Sequence, residues 1–220
     1  MISSLDIEYI EAKLIKQGKT LLDEPFEKLA NTLFEKFGVK PMTFHYDILE
    51  HSNRPRLQVI FETSKQAKAF HKNGSFFYDL DKKNRIWEIF HELMKDNPNY
   101  RTDNLFVISG TFEKIAIQEA NSKIPKELLE ELKTRLNNQD IWEISKTFSS
   151  AIFFFHTDKQ VEEAKNSPLL NVLENEYYKL IKRYDEFNYL ELNQFGIGID
   201  SRENFVNNYQ SNWFYYFKDH

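Results

Sequence analysis

The chain of 220 residues contains no cysteine, so disulfides, a thiol nucleophile and thiolate-bound metals are excluded together. That absence fits a reducing compartment. No apolar stretch approaches the roughly 20 residues of a membrane-spanning helix. The N-terminus, "MISSLDIEYIEAKL", carries Asp6, Glu8 and Glu11 where a signal peptide would carry lysine and an apolar run. A cytoplasmic location without membrane attachment is the expectation. Glycine and proline are sparse, six of each, and the glycines build no phosphate cradle. "FGIGID" holds Gly196 and Gly198, yet the third glycine and the following helix of a dinucleotide fingerprint are missing, as is any Gly-Lys-Ser/Thr. These two glycines are expected to relieve crowding where elements approach closely. A Gly-x-Ser-x-Gly elbow is missing too, and no cofactor is implied.

Positive charge is also in short supply. Lys and Arg number 29 against 34 Asp and Glu, a net charge of −5. Residues 1–123 hold 18 of each sign, whereas residues 124–220 hold 11 cationic and 16 anionic side chains, so the excess lies in the second half. Nucleic-acid binding needs clustered cations that displace counterions, and an acidic half argues against it. The same balance keeps a protein soluble and suits a basic protein partner through electrostatic steering.

Aromatic residues, by contrast, abound: 20 Phe, 11 Tyr and 3 Trp, five of them consecutive from Trp213 to Phe217. Hydrophobic periodicity organises the chain around them. Helices are predicted over 4–17 and over 24–37. In the second, Phe26, Leu29, Ala30, Leu33, Phe34 and Phe37 repeat at helical spacing and Gly38 marks the stop. Strands follow over 41–50 and 55–62 with a "HSNRP" turn between them. Ser64 is read as the cap of a short helix, "KQAKAFHKNG", and a stronger helix over 82–96 turns Ile86, Ile89, Phe90 and Leu93 inward. Strands at 105–110 and 113–119 end this half. The order then restarts: a helix "SKIPKELLEELKTRL", strands "DIWEISKTF" and "SAIFFFH", a short helix "KQVEEAKNS" capped by Asp158, and a long helix "PLLNVLENEYYKLIKRYDEF". Strands "QFGIGID" and "SNWFYYFK" close the chain. As a strand, the terminal block would present Trp213, Tyr215 and Phe217 on one face and Phe214 and Tyr216 on the other.

A local match supports this doubling. "FETSKQ" (Phe61–Gln66) and "FHTDKQ" (Phe155–Gln160) share four of six residues at the point where a strand hands over to a short helix. The predicted architecture is α+β. Two similar lobes, 1–122 and 123–220, would each pack helices on one face of a small antiparallel sheet, as a tandem duplication.

Groups that carry chemistry are few. His45–Asp47 ("HYD") and His156–Asp158 ("HTD") each place an imidazole and a carboxylate on one strand face. Such a pair can orient a general base or begin a metal site. Neither pair has the further convergent ligands a metal needs, and neither fits the paired His-x-Thr/Ser pattern of phosphoesterases. Asp158 is more economically a helix cap. Glu130/Glu131 and Glu162/Glu163 fall on predicted helix surfaces, where Glu131 and Arg135 are spaced as an i, i+4 ion pair. A non-enzymatic protein-binding role follows, with aromatics beside carboxylates as the contact surface. Tyr209, Trp213, Tyr215, Asp200 and Glu203 are the candidate contacts. A small hydrolase using one His-x-Asp pair, and a structural protein that self-associates through exposed strand edges, are the alternatives.

The stretches "LANTLFEKFGVKPMTFHYDIL", "IFHELMKDNPNYRTDNLFVISGTFEKIAIQE" and "YYKLIKRYDEFNYLELNQFGIGID" each resemble helix-to-strand segments of the YezG-like immunity proteins of bacterial polymorphic toxin systems. The resemblance implies a cytoplasmic antidote that binds a toxic effector domain and blocks it without catalysis. It assigns no site residues.

Overall fold

The computed structural model of the chain describes residues 3–72 and 79–219. It divides into two compact units, Met1–Ile115 and Ala116–His220. The first contains α1 (Ile7–Lys16), α2 (Glu24–Phe37), β1 (Thr43–Leu49), β2 (Arg54–Phe61), α3 (Ser64–Lys68), α4 (Leu80–Met94), β3 (Phe106–Thr111) and the start of α5 (Phe112–Ser122). In the second come α6 (Lys126–Leu136), β4 (Ile141–Lys146), β5 (Ala151–Phe155), α7 (Asp158–Lys165) and α8 (Leu169–Lys182). A 3-10 turn (Leu192–Gln194), β6 (Gly198–Ser201), α9 (Arg202–Tyr209) and α10 (Trp213–Asp219) complete it. The break falls inside α5 rather than after residue 122.

The protein is thus α+β with two lobes of one design. In each, two strands form an antiparallel hairpin, β1–β2 or β4–β5. Two helices then carry the chain across, and the third strand pairs parallel to the second, β2–β3 or β5–β6. The sheets are therefore mixed rather than antiparallel, because a helical crossover carries the chain back to the end of the sheet at which the preceding strand began.

Each sheet is also covered on both faces, not one. In β2, Leu57, Val59 and Phe61 pack against α2 (Phe26, Leu29, Ala30, Leu33) and α4 (Ile86, Phe90, Met94). On the opposite face Ile60 is buried, and α1 and α5 bring in Tyr9 and Phe112, whose rings stack 5.1 Å apart. β5 repeats the arrangement. Ala151, Phe153 and Phe155 join the core beneath α6, α7 and α8, while Ile152 and Phe154 face α9 and α10. A strand buried on both faces needs a continuous apolar run rather than an alternation, and "AIFFF" supplies one.

The helices begin and end for local reasons. Pro25 opens α2, and Gly38 closes it at φ 70°, donating to Phe34 O at 2.8 Å. Phe34 remains 54% exposed, outside the core that its spacing suggested. The caps of α3 and α7 lie one residue before Ser64 and Asp158: Thr63 and Thr157 accept from the N–H groups of Gln66 and Gln160, whose side-chain carbonyls accept in return from the threonine N–H groups. The Thr and Gln shared by "FETSKQ" and "FHTDKQ" are thus two matching capping boxes. The likeness continues beyond them. Phe61 pairs with Thr111, and Phe155 with Ser201, at the ends of the parallel strands. Two residues on, Glu113 accepts from the N–H of Ser64 at 2.8 Å, and Glu203 from the N–H of Asp158 at 3.1 Å.

Two predicted strands are helices. "EKIAIQE" belongs to α5, whose Phe112, Ile115, Ala116 and Ala120 are buried at helical spacing. "WFYYF" belongs to α10. Gln210 and Ser211 turn the chain at φ 52° and 58°, and Asn212 Oδ1 accepts from the N–H groups of Phe214 and Tyr215 at its start. Trp213, Tyr216 and Phe217 then share a side, while Phe214 (71% exposed) and Tyr215 (54%) face solvent. α9, which sequence periodicity did not reveal, is capped by Ser201, whose Oγ accepts from Asn204 N–H at 2.7 Å. The predicted helix "KQAKAFHKNG" ends at Lys68 as an α-helix, and its residues 73–74 lie outside the described residues. Among the described residues no helix is long and apolar enough to cross a membrane.

Candidate functional site

β4 is an edge strand, because the second sheet runs β4-β5-β6. Its register slips between Ile141 and Glu143, a bulge centred on Trp142. Bulges re-aim side chains, and this one leaves Trp142 packed with the α9–α10 layer. There Phe154, fully buried at the centre of the sheet, is ringed by Trp142, Phe205, Trp213 and Tyr216 at centroid distances of 5.2–6.2 Å. Phe205 stacks on Trp213 at 4.1 Å, and the two indoles of Trp142 and Trp213 lie parallel within 4°. Each such pair adds about 0.5–1.5 kcal/mol beyond its buried area, so the rings hold one another in place.

Between this aromatic wall and α6 the edge of β4 is open. A groove of about 610 Å³ runs there, floored by Trp142, Glu143, Ile144, Ser145 and Lys146. α6 contributes Lys126, Leu129 and Glu130, and the far side is Arg202, Phe205, Val206, Trp213 and Phe217. That volume is typical of ligand and peptide sites. Lys146 is committed to structure: its Nζ donates to the carbonyls of Ser122 (3.0 Å) and Ile124 (2.7 Å), and burial lowers its pKa. The Arg202 guanidinium lies 5.4 Å over the Trp142 ring. Among the described residues neither Lys126 nor Arg202 forms an ion pair, and the same holds for Glu130 and Glu143; with Lys146, three cations and two carboxylates line the groove.

Of the five contacts expected from sequence, only Trp213 lines this groove. Tyr209 is half-buried with its ring 5.0 Å from that of Tyr216, and Tyr215 is exposed on the outer side of α10. Asp200 works inside the unit: it accepts from Tyr216 Oη at 2.6 Å and from Asn204 Nδ2 at 3.0 Å. Burial first, and the bond to Asp200 second, push the Tyr216 pKa well above its ordinary value. Glu203 holds the start of α7, as Glu113 holds that of α3. Glu203 is exposed and Asp200 half-buried, and neither lines the groove. Trp142, Arg202, Phe205, Val206 and Phe217 were missed. The sequence signals among them were a tryptophan within a predicted strand and the place of Phe217 in the terminal aromatic run.

The His-x-Asp pairs do not assemble a catalytic dyad. His45 Nδ1 lies 3.4 Å from Glu11 of α1, while Asp47 grips Arg56 through two bonds of 2.8 and 2.5 Å, with Glu8 also 3.5 Å from Arg56. His156 is exposed, and Asp158 instead accepts from the hydroxyl of Ser201. Gly198 is explained by packing, since a Cβ there would stand 2.9 Å from Ile152 Cγ1. Arg135 pairs not with Glu131 but with Glu176 of α8 at 2.9 Å. Among the described residues no group of three or more His, Asp or Glu side chains is arranged to hold a metal ion. Comparison with protein-family models, curated proteins and solved structures returns no match to this chain.

Proposed function

We propose that the chain is a non-enzymatic binding protein whose second unit holds part of a partner protein in the groove beside β4. The observation that carries this reading is the groove itself, an aromatic wall packed around Phe154 next to an unpaired strand edge. Interfaces concentrate binding energy in such aromatic and arginine clusters. The more specific form, motivated by the resemblance to YezG-like immunity proteins, makes the partner a toxic effector domain that is blocked by occlusion. Because the groove's cations outnumber its carboxylates by three to two, its selectivity rests on shape and apolar contact rather than on attraction of a basic surface.

Protection and co-purification test this. Val206 (43% exposed) and Phe217 (40%) can be changed to Glu and Ala with little loss of core packing. Co-expressed with a toxic effector domain that it neutralises, the wild-type chain is expected to restore growth and to co-purify. The Val206→Glu, Phe217→Ala double variant, melting at the same temperature, is expected to do neither. Protection undiminished in the variant would move the site elsewhere, and a wild-type chain that captures nothing would end the binding reading.

A further inference from the structure

We infer that the occupant of the groove is an extended segment of another polypeptide, added as a fourth strand to the free edge of β4. This rests on the binding reading above and names the chemistry of its ligand. Thr147 N–H donates to the Ser150 carbonyl at 2.9 Å, which fixes Thr147 and Ser150 as a hydrogen-bonded pair of the β4–β5 hairpin. Hydrogen-bonded and non-hydrogen-bonded pairs alternate along an antiparallel ladder. Ser145 and Glu143, opposite Ile152 and Phe154, therefore turn their main-chain groups to β5. Ile144 and Lys146 turn theirs to the groove. At the other end of the strand the Trp142 carbonyl is occupied by Lys133 Nζ, so the open ladder begins at Ile144.

The groove has the capacity of a short strand. Multiplying the rise per residue, the spacing between strands and the spacing between packed layers gives about 160 Å³ per strand residue. A cavity of 610 Å³ then holds roughly four. Its walls select alternate side chains. On one side Trp213, Phe217 and Val206 offer an apolar surface; on the other stand Lys126, Leu129 and Glu130. An added strand sends successive side chains to opposite faces, so the segment that fits alternates apolar and polar residues and carries no excess of positive charge. A second copy of this chain fits less well, because its own α6 and α9–α10 flank its edge as walls.

The full-length protein can be tested with a blocked seven-residue peptide of alternating valine and threonine. Its counterpart, with every second main-chain nitrogen methylated, has the same side chains but cannot complete the ladder. The unmodified peptide is expected to slow amide exchange at Ile144 and Lys146 while leaving Glu143 and Ser145 unchanged. Methylation is expected to weaken binding about tenfold or more, and Val206→Glu is expected to abolish it. Equal binding of both peptides, or exchange protection confined to Phe205–Phe217, would leave the groove as a binding site but overturn strand addition. So would failure of the unmodified peptide to bind a chain that still captures its protein partner. Concentration-dependent protection of Ile144 and Lys146 without any peptide would identify a second copy as the occupant and overturn the inference.

Discussion

Two side chains show how burial sets the balance at the residue scale. Gln58 sits in the middle of β2 with 1% of its surface exposed, and among the described residues neither its Nε2 nor its Oε1 has a hydrogen-bond partner. A buried, unsatisfied amide costs about 1–3 kcal/mol. Gln58→Leu keeps the volume and removes that penalty, so it is expected to raise stability by about 1 kcal/mol or more, read as a higher urea midpoint at unchanged slope. Tyr216 is the opposite case, buried and fully employed by Asp200. Its hydroxyl ionises far less readily in the folded chain than in the unfolded one, where the pKa is about 10. Its contribution is complete below that pH and is lost as the pH climbs above it. Tyr216→Phe should therefore shrink the fall in urea midpoint between about pH 8 and about pH 10.5, relative to wild type.

At the element scale the repeated feature is the hand-over from the central strand to a short helix. Thr63 with Gln66, and Thr157 with Gln160, satisfy helix N–H groups that would otherwise lack partners. Thr63→Ala and Thr157→Ala are each expected to cost about 1 kcal/mol, with similar losses in chemical denaturation because the two boxes are equivalent. A negligible loss at both would show that Glu113 and Glu203 alone fix these helix starts. The helices after β3 and β6 illustrate the limit of local patterns. "EKIAIQE" alternates apolar and polar residues over part of its length, and "WFYYF" is rich in strand-favouring aromatics. Intrinsic strand preferences span only about 1 kcal/mol, whereas fully burying one large apolar side chain contributes about 1.5–3 kcal/mol. Packing Phe112 beside Tyr9, and Tyr216 beside Phe154, outweighs the local preference.

At the scale of the whole molecule the two units have separate cores, one centred on Leu57, Val59 and Phe61 and the other on Ala151, Phe153 and Phe155. Phe61→Ala and Phe153→Ala should each cost about 3–5 kcal/mol, and each is expected to lower the unfolding transition of its own unit. Calorimetry, with fluorescence of Trp87 for the first unit and of Trp142 and Trp213 for the second, separates the two. A single transition shifted equally by both variants would show one cooperative unit instead.

The amino-acid sequence alone determined the elements with strong periodicity: α2, α4, α6, α8 and the two hairpins. It also determined the doubled order and, through its missing motifs, the narrow range of chemistry to consider. Those properties depend on neighbours a few residues apart, which a linear reading contains. Tertiary structure alone decided the parallel third strands, the second helical layer on each sheet and the helical state of α5 and α10. It also decided where the groove lies. Its lining spans Lys126 to Phe217 and converges only because β4 is left at a sheet edge. Which edge stays unpaired follows from the crossover of distant segments and from the area each buries, and no local spacing encodes either.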